Sequence, residues 1–83
     1  ALAAEMAPNI RINCIAPSLT KSKMSSSVIR NSTIESSIAR MHPLKRIGEG
    51  LDSANLANFL LTNKSSWITG QIIGVDGGRS NIT

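Results

Sequence analysis

Apolar residues recur along this chain with two periods, and the switch between them marks the elements. Ile10, Ile12, Cys14 and Ala16 alternate with Arg11, Asn13 and Ile15, the two-residue period of a strand. The second face turns partly apolar at Ile15, as in a parallel strand covered on both sides. The spacing predicts a strand over 10–16, closed by Pro17-Ser18. Gln71-Ile72-Ile73-Gly74-Val75-Asp76 predicts a last strand over 71–76, ended by an Asp76-Gly77-Gly78 turn. Between them the period lengthens. Leu56, Phe59 and Leu60 recur at helical spacing, Leu61 widens the stripe, and Asp52 or Ser53 is placed to cap a helix over 52–62. Ile34, Ile38 and Met41 share that spacing behind Ser32-Thr33-Ile34-Glu35, which has the form of a capping box. A short amphipathic helix from Thr33 to Met41 follows, closed by Pro43. Residues 1–7 are good helix formers without a β-branched member, and Pro8-Asn9 stops them. No capping residue precedes Ala1, so this reads as the end of a helix that starts further upstream.

The order is thus helix end, strand, loop with a short helix, helix, strand. Two strands separated by a long connection that carries a helix imply a parallel pair joined by a right-handed crossover. Residues 19–44 are the least regular part. A loop and a short helix between two firm elements is the build of a substrate lid and equally of an ordinary surface connection; composition does not separate them. Asn13, inside a strand, requires hydrogen-bond partners.

Composition adds bounds. The 83 residues are 41% hydrophobic and 17% charged, ordinary for one small globular unit with a thin stability margin. No apolar run is long enough to cross a bilayer and no secretory leader pattern is readable. Cys14 is the only cysteine, so an internal disulfide and a cysteine metal cluster are excluded. A lone thiol in an apolar run is expected in the core, and a reduced, cytoplasmic setting is expected with it. The net charge is +4, and Lys21, Lys23, Arg30, Arg40, Lys45 and Arg46 fall in one central stretch. They do not repeat on one helical face and no aromatic residues are interleaved to stack bases, which counts against a nucleic-acid interface.

Catalytic constellations are sparse. His42, the one histidine, stands before Pro43 at the end of a helix, a place for a capping or surface residue; no carboxylate nearby in sequence is placed to orient it as a base. The chain has no tyrosine, no Gly-x-Ser-x-Gly elbow, no metal-ligand cluster and no Gly-rich phosphate loop. Asp-Gly-Gly is, by itself, a turn. The residues alone assign no reaction.

Three blocks carry a resemblance that does. Ile12-Asn13-Cys14-Ile15-Ala16-Pro17, Pro43-Leu44-Lys45-Arg46-Ile47-Gly48-Glu49 and Trp67-Ile68-Thr69-Gly70-Gln71-Ile72-Ile73-Gly74-Val75-Asp76-Gly77-Gly78 resemble, in sequence and spacing, the C-terminal part of a short-chain dehydrogenase/reductase. The resemblance implies an α/β fold. Residues 1–83 would be the C-terminal portion of a doubly wound parallel-sheet (Rossmann-type) domain, incomplete on its own. The implied activity is that of an NAD- or NADP-dependent oxidoreductase interconverting an alcohol and a carbonyl, a small molecule. Ligands of such sheets bind beyond the carboxyl ends of the strands. The resemblance places Pro17, Ser18, Leu19 and Ser22 at the nicotinamide, with the Leu19 backbone meeting the carboxamide and the Ser22 hydroxyl standing where the family usually has a threonine. It places Met24 at the mouth of the substrate pocket, with 19–44 as substrate loop. It makes 52–61 and 71–76 a subunit interface of a homo-oligomer.

Two departures stand out. Ser18 replaces a glycine, so a positive φ there would be costly. Gly50 stands where proline is frequent, opening the helix from Asp52 less rigidly. The family's Tyr-x-x-x-Lys pair and Gly-rich turn have no counterpart here; they would lie before Ala1, in an N-terminal half that is then a necessary partner. The chain contributes no catalytic residue and no metal ligand on this reading, and alone is expected to be inactive and not a stable monomer, since two strands are marginal in water. Two other readings stay open: a non-catalytic binding or assembly module derived from such an enzyme, and a basic module with salt-dependent affinity for DNA or RNA.

Overall fold

The structure, a computed structural model, describes residues 1–21 and 32–81. Its elements in chain order are α1 (Leu2–Met6), β1 (Cys14–Pro17), β2 (Thr20–Lys21), α2 (Ser32–Arg40), β3 (Gly48–Glu49), α3 (Gly50–Leu60) and β4 (Ile72–Val75), with single 3₁₀ turns at Asn63–Ser65 and Arg79–Asn81. β1 and β4 pair in parallel, Cys14 beside Ile72 through Pro17 beside Val75. β2 and β3 form a second parallel pair, Thr20 beside Gly48 and Lys21 beside Glu49. This is the α/β architecture with parallel strands that the alternating pattern implied.

The ladder begins later than the alternation predicted, at Cys14 and not at Ile10. Upstream, side-chain bonds accompany a backbone bond from the Gly70 N–H to the Ile12 carbonyl. The Ile12 N–H donates to Thr69 Oγ1 at 3.0 Å, and the Asn13 carboxamide bridges the two segments, accepting from the Gln71 N–H at 3.1 Å and donating to the Ile68 carbonyl at 3.2 Å. The polar demand of Asn13 is thereby met, and it fixes the register between two backbone bonds of 2.8 Å, from the Gly70 N–H to the Ile12 carbonyl and from the Cys14 N–H to the Gln71 carbonyl. Pro17 closes β1 as its last paired residue.

α3 starts at Gly50, two residues ahead of the expected cap at Asp52 or Ser53. Asp52 acts from the third helical position, where its Oδ2 accepts the Glu49 N–H at 2.7 Å, the carboxylate half of a capping box. At the other end Arg11 gathers the chain leaving α3. Its guanidinium donates to the Leu60 carbonyl and Ser65 Oγ at 3.0 Å each, and to the Thr62 and Ile68 carbonyls at 3.3 Å each. The Leu60 carbonyl is one of the orphans that every helix end leaves.

Burial differs from the expectation of two covered faces. Ile15, Ile73 and Val75 are half-buried, and Ile15 lines a hollow with Ala57 and Leu60 of α3 and Leu61 just after it. Cys14, Ala16, Ile72 and Gly74, on the alternate face, are exposed. Cys14 is therefore not a core thiol in this chain. The reason is geometric: among the described residues α3 is the helix that packs on β1, and it covers one side. Ile47 is the one buried apolar side chain among them, whereas Leu61 and Ile72 are 85% and 77% exposed.

Candidate functional site

β1 and β4 run the same way, so their carboxyl ends open on one side, and a cleft of about 350 Å³ lies there. Ser18, Leu19 and Thr20 form the wall that continues β1; Gly74 to Gly78 form the wall that continues β4; His42, Leu44 and Arg46 reach in from the segment after α2, and Asp52 and Ser53 from the first turn of α3.

The β1 wall is held by backbone and side chain together. The Ser18 N–H donates to the Val75 carbonyl at 3.3 Å, extending the ladder by one residue. The Thr20 hydroxyl donates to the Ser18 carbonyl at 3.0 Å. Ser18 does not take positive φ; Lys45, at 61°, is the one non-glycine residue that does among those described. The substitution of serine for the family's glycine therefore carries no backbone strain at this turn. The Leu19 carbonyl accepts from the Gly48 N–H at 3.3 Å, while its own N–H has no internal partner among the described residues.

His42 departs from the sequence reading. It is 2% exposed and not a surface residue. Its Nδ1 lies 2.9 Å from the Ile38 carbonyl and its Nε2 lies 2.9 Å from Ser18 Oγ. A carbonyl only accepts, so Nδ1 carries the proton there, and Nε2 of that tautomer accepts the Ser18 hydroxyl. The side chain thus caps the end of α2, as its position suggested, and also reaches the β1 wall.

The β4 wall is a turn built around Asp76. Its Oδ1 accepts the Gly78 N–H at 3.0 Å and its Oδ2 the Ser80 N–H at 3.2 Å. The hydrogen bond with the Ser80 side chain, above all, holds this carboxyl below its usual range, against the opposing effect of desolvation. Gly78 takes φ 88°, and a Cβ there would sit 3.1 Å from Pro43 Cγ; the turn and the Pro43 segment are in close approach. The Gly77 carbonyl accepts the Leu44 N–H at 3.0 Å. Across the cleft, Arg46 pairs with Asp52 through two bonds of 2.8 and 2.9 Å. The pairing raises the Arg46 pKa and, with the Glu49 N–H, holds the Asp52 carboxyl well below the usual range.

Of the residues expected at the nicotinamide, Ser18 and Leu19 line the cleft, and Pro17 ends β1 beside Val75. Ser22 and Met24 lie outside the described residues. Sequence reasoning did not bring His42, Arg46 or Asp52 to this cleft. A histidine one turn beyond Ile38 and followed by proline signalled the cap, but nothing in the pattern signalled Ser18 as its second partner. No group of three His, Cys, Asp or Glu among the described residues is placed to hold a metal ion, and no helix among them is long and apolar enough to cross a membrane.

Residues 1–80 match the family model described as enoyl-(acyl carrier protein) reductase. The chain is similar to the human dehydrogenase/reductase SDR family member 4, 40% identical over 78 residues that cover 93% of this chain and 28% of that protein. Among solved structures it is similar to a 4-hydroxyisoleucine dehydrogenase complexed with NADH, with a TM-score of 0.90, 25% identity and coverage of 99% of this chain and 34% of that one. It is also similar to a putative 2-deoxy-d-gluconate 3-dehydrogenase from Agrobacterium tumefaciens with bound NADP, with a TM-score of 0.87, 29% identity and coverage of 98% and 33%. The chain therefore spans about a third or less of the length of these relatives, two of which hold a nicotinamide dinucleotide. Parallel strands opening on one cleft, and a match that runs nearly the length of the chain, agree: this protein belongs to the short-chain dehydrogenase/reductase family of oxidoreductases and corresponds to the C-terminal part of their Rossmann-type fold.

Proposed function

We propose that this chain supplies one wall of the nicotinamide site of an NAD(P)-dependent oxidoreductase that interconverts an alcohol and a carbonyl. The observation that carries the reading is the turn after β1. It stands at the carboxyl ends of two parallel strands, where dinucleotides bind in such sheets, and it offers the Leu19 N–H, without an internal partner, to a cleft of about 350 Å³. An amide donor of this kind fits a carboxamide oxygen. Pro17 fixes the direction of the turn. Ser18 supplies its backbone, since its hydroxyl is engaged by His42, and Leu19 supplies the N–H. Ser22 is assigned a hydroxyl contact to the cofactor and Met24 a place at the substrate mouth; both rest on the family resemblance.

The nicotinamide, when bound, supplies the hydride. These residues orient it and shield one side of it from water; they move no proton. Proton transfer belongs to a tyrosine paired with a lysine, and the sequence has no tyrosine, so that pair is assigned to the N-terminal part of the enzyme. The isolated chain is inactive on this reading. The second face of β4 and the outer side of α3 with the residue that follows it are assigned to a contact between copies: Leu51, Leu61 and Ile72 are 67%, 85% and 77% exposed, and exposed apolar surface is what such contacts cover.

The test is carbonyl reduction by the full-length protein. Consumption of NADH or NADPH with a panel of aliphatic and aromatic ketones and aldehydes is the expected result. Failure to bind either dinucleotide at millimolar concentration would overturn the assignment.

A further inference from the structure

The Ser18–His42 contact joins two parts of the chain that are 24 residues apart and have separate jobs. Ser18 belongs to the turn assigned to the nicotinamide; His42 belongs to the end of α2, whose Ile38 carbonyl it holds. Where a glycine stands at position 18, as the family resemblance leads one to expect, this bond has no donor. The histidine is not a loose surface group that happens to reach a serine. It is 2% exposed, its Cβ is in contact distance of the space beside Gly77, and Pro43 abuts Gly78. The Leu44 N–H is tied to the Gly77 carbonyl. His42 is therefore clamped from the β4 side, and its two ring nitrogens face outward to two different elements.

We infer that His42 is a positioning residue: through Ser18 it latches the C-terminal end of α2 to the nicotinamide turn, so that occupancy of the turn is felt by the helix. A second tie, the 3.2 Å ion pair between Lys21 of β2 and Glu35 of α2, acts at the other end of the helix. It is half exposed and correspondingly weak, which leaves the buried latch as the stronger restraint. The inference rests on the turn being the nicotinamide wall, but the latch itself is readable without any cofactor.

The experiment is amide hydrogen exchange over residues 32–42 in the full-length protein, without and with saturating NADH or NADPH. The variants are Ser18→Gly, Ser18→Thr and His42→Asn. Asparagine at 42 is short enough to keep a bond to the Ile38 carbonyl but not to reach Ser18. One neutral hydrogen bond corresponds to about a fivefold change in an opening equilibrium. Exchange in unliganded Ser18→Gly and His42→Asn is expected to be about fivefold faster over this segment, with Ser18→Thr, which keeps the hydroxyl, at the wild-type rate. Adding the dinucleotide slows exchange of α2 in wild type and Ser18→Thr, and not in the other two. A purely structural bond would give the first difference without the second. Equal exchange in all four proteins, or equal slowing by the dinucleotide in all four, overturns the latch. Wild type that binds neither dinucleotide overturns the nicotinamide assignment instead, and the unliganded rates still decide whether the latch exists.

Discussion

Replacing Arg11 by alanine tests what ties the end of α3 to the strand that leads into the cleft. Four hydrogen bonds leave this guanidinium, two at 3.0 Å and two at 3.3 Å. A bond from a charged donor is worth about 1.5–3 kcal/mol taken singly, so a naive sum would rival the whole margin of a small domain. The acceptors decide how much is lost. The Leu60 and Thr62 carbonyls also lie 3.0 and 3.1 Å from the Ser65 hydroxyl, which has one proton to share between them, and the Ile68 carbonyl keeps the Asn13 amide. The Thr62 carbonyl keeps the Ser65 N–H at 3.3 Å, which frees the Ser65 hydroxyl for Leu60, so each carbonyl retains a protein donor; Arg11 is half-buried, so water reaches part of the site. The expected cost is about 1–2 kcal/mol. Arg11→Lys recovers less than half of it, because one ammonium does not span acceptors set out for a planar fork. The assay is urea unfolding of the full-length protein, read as a shift in midpoint at constant slope. A loss under about 0.5 kcal/mol, the scale of an ordinary surface substitution, would refute the tie.

Other consequences are more local. Lys45 holds φ at 61°, so Lys45→Gly is expected to raise stability by about 0.5–1 kcal/mol, read from the same unfolding curves, despite glycine's greater freedom in the unfolded chain. The Asp52 carboxyl is held below its unfolded pKa by Arg46 and the Glu49 N–H. Its contribution is therefore present above the ordinary carboxylate pKa and lost as pH falls through the lower folded value. Asp52→Asn should flatten the acid limb of the stability profile below about pH 4, and an unchanged limb would contradict the pairing. The 83-residue polypeptide made alone should show no sharp thermal transition as a monomer by circular dichroism and sedimentation, since Ile47 is its one buried apolar side chain among those described. A cooperative monomeric melt would contradict that.

Much of this architecture is visible in the order of apolar residues, and the parts that are not have physical reasons. Alternation from Ile10 to Ala16 and the apolar run before Asp76 place the two strands and their parallel sense, because a connection carrying a helix leaves no other simple geometry. Alternation does not tell where regular pairing begins, and ahead of Cys14 the Thr69 and Asn13 side chains bridge the segments beside a single backbone bond between Gly70 and Ile12. The β2–β3 pair has two residues on each side, too short for any period to register. Asp52 is legible as a cap, but a carboxylate caps equally from the third helical position, and α3 accordingly starts at Gly50. The cleft itself is half legible. Pro17-Ser18-Leu19 follows from strand polarity, whereas the Ser18–His42 and Arg46–Asp52 pairs depend on how loops fold back, and local pattern does not carry that. Burial was the largest miss: a sequence with strands fit for two covered faces has one face open, because cover for the other is not among the described elements.

The most direct test of the central claim is a structure of the full-length protein with NADH or NADPH bound. The account predicts the nicotinamide in the cleft after β1, with its carboxamide oxygen about 3 Å from the Leu19 nitrogen and Pro17 and Ser18 lining the ring. A dinucleotide bound elsewhere, or a carboxamide turned away from Leu19 with that N–H left to water, would contradict it.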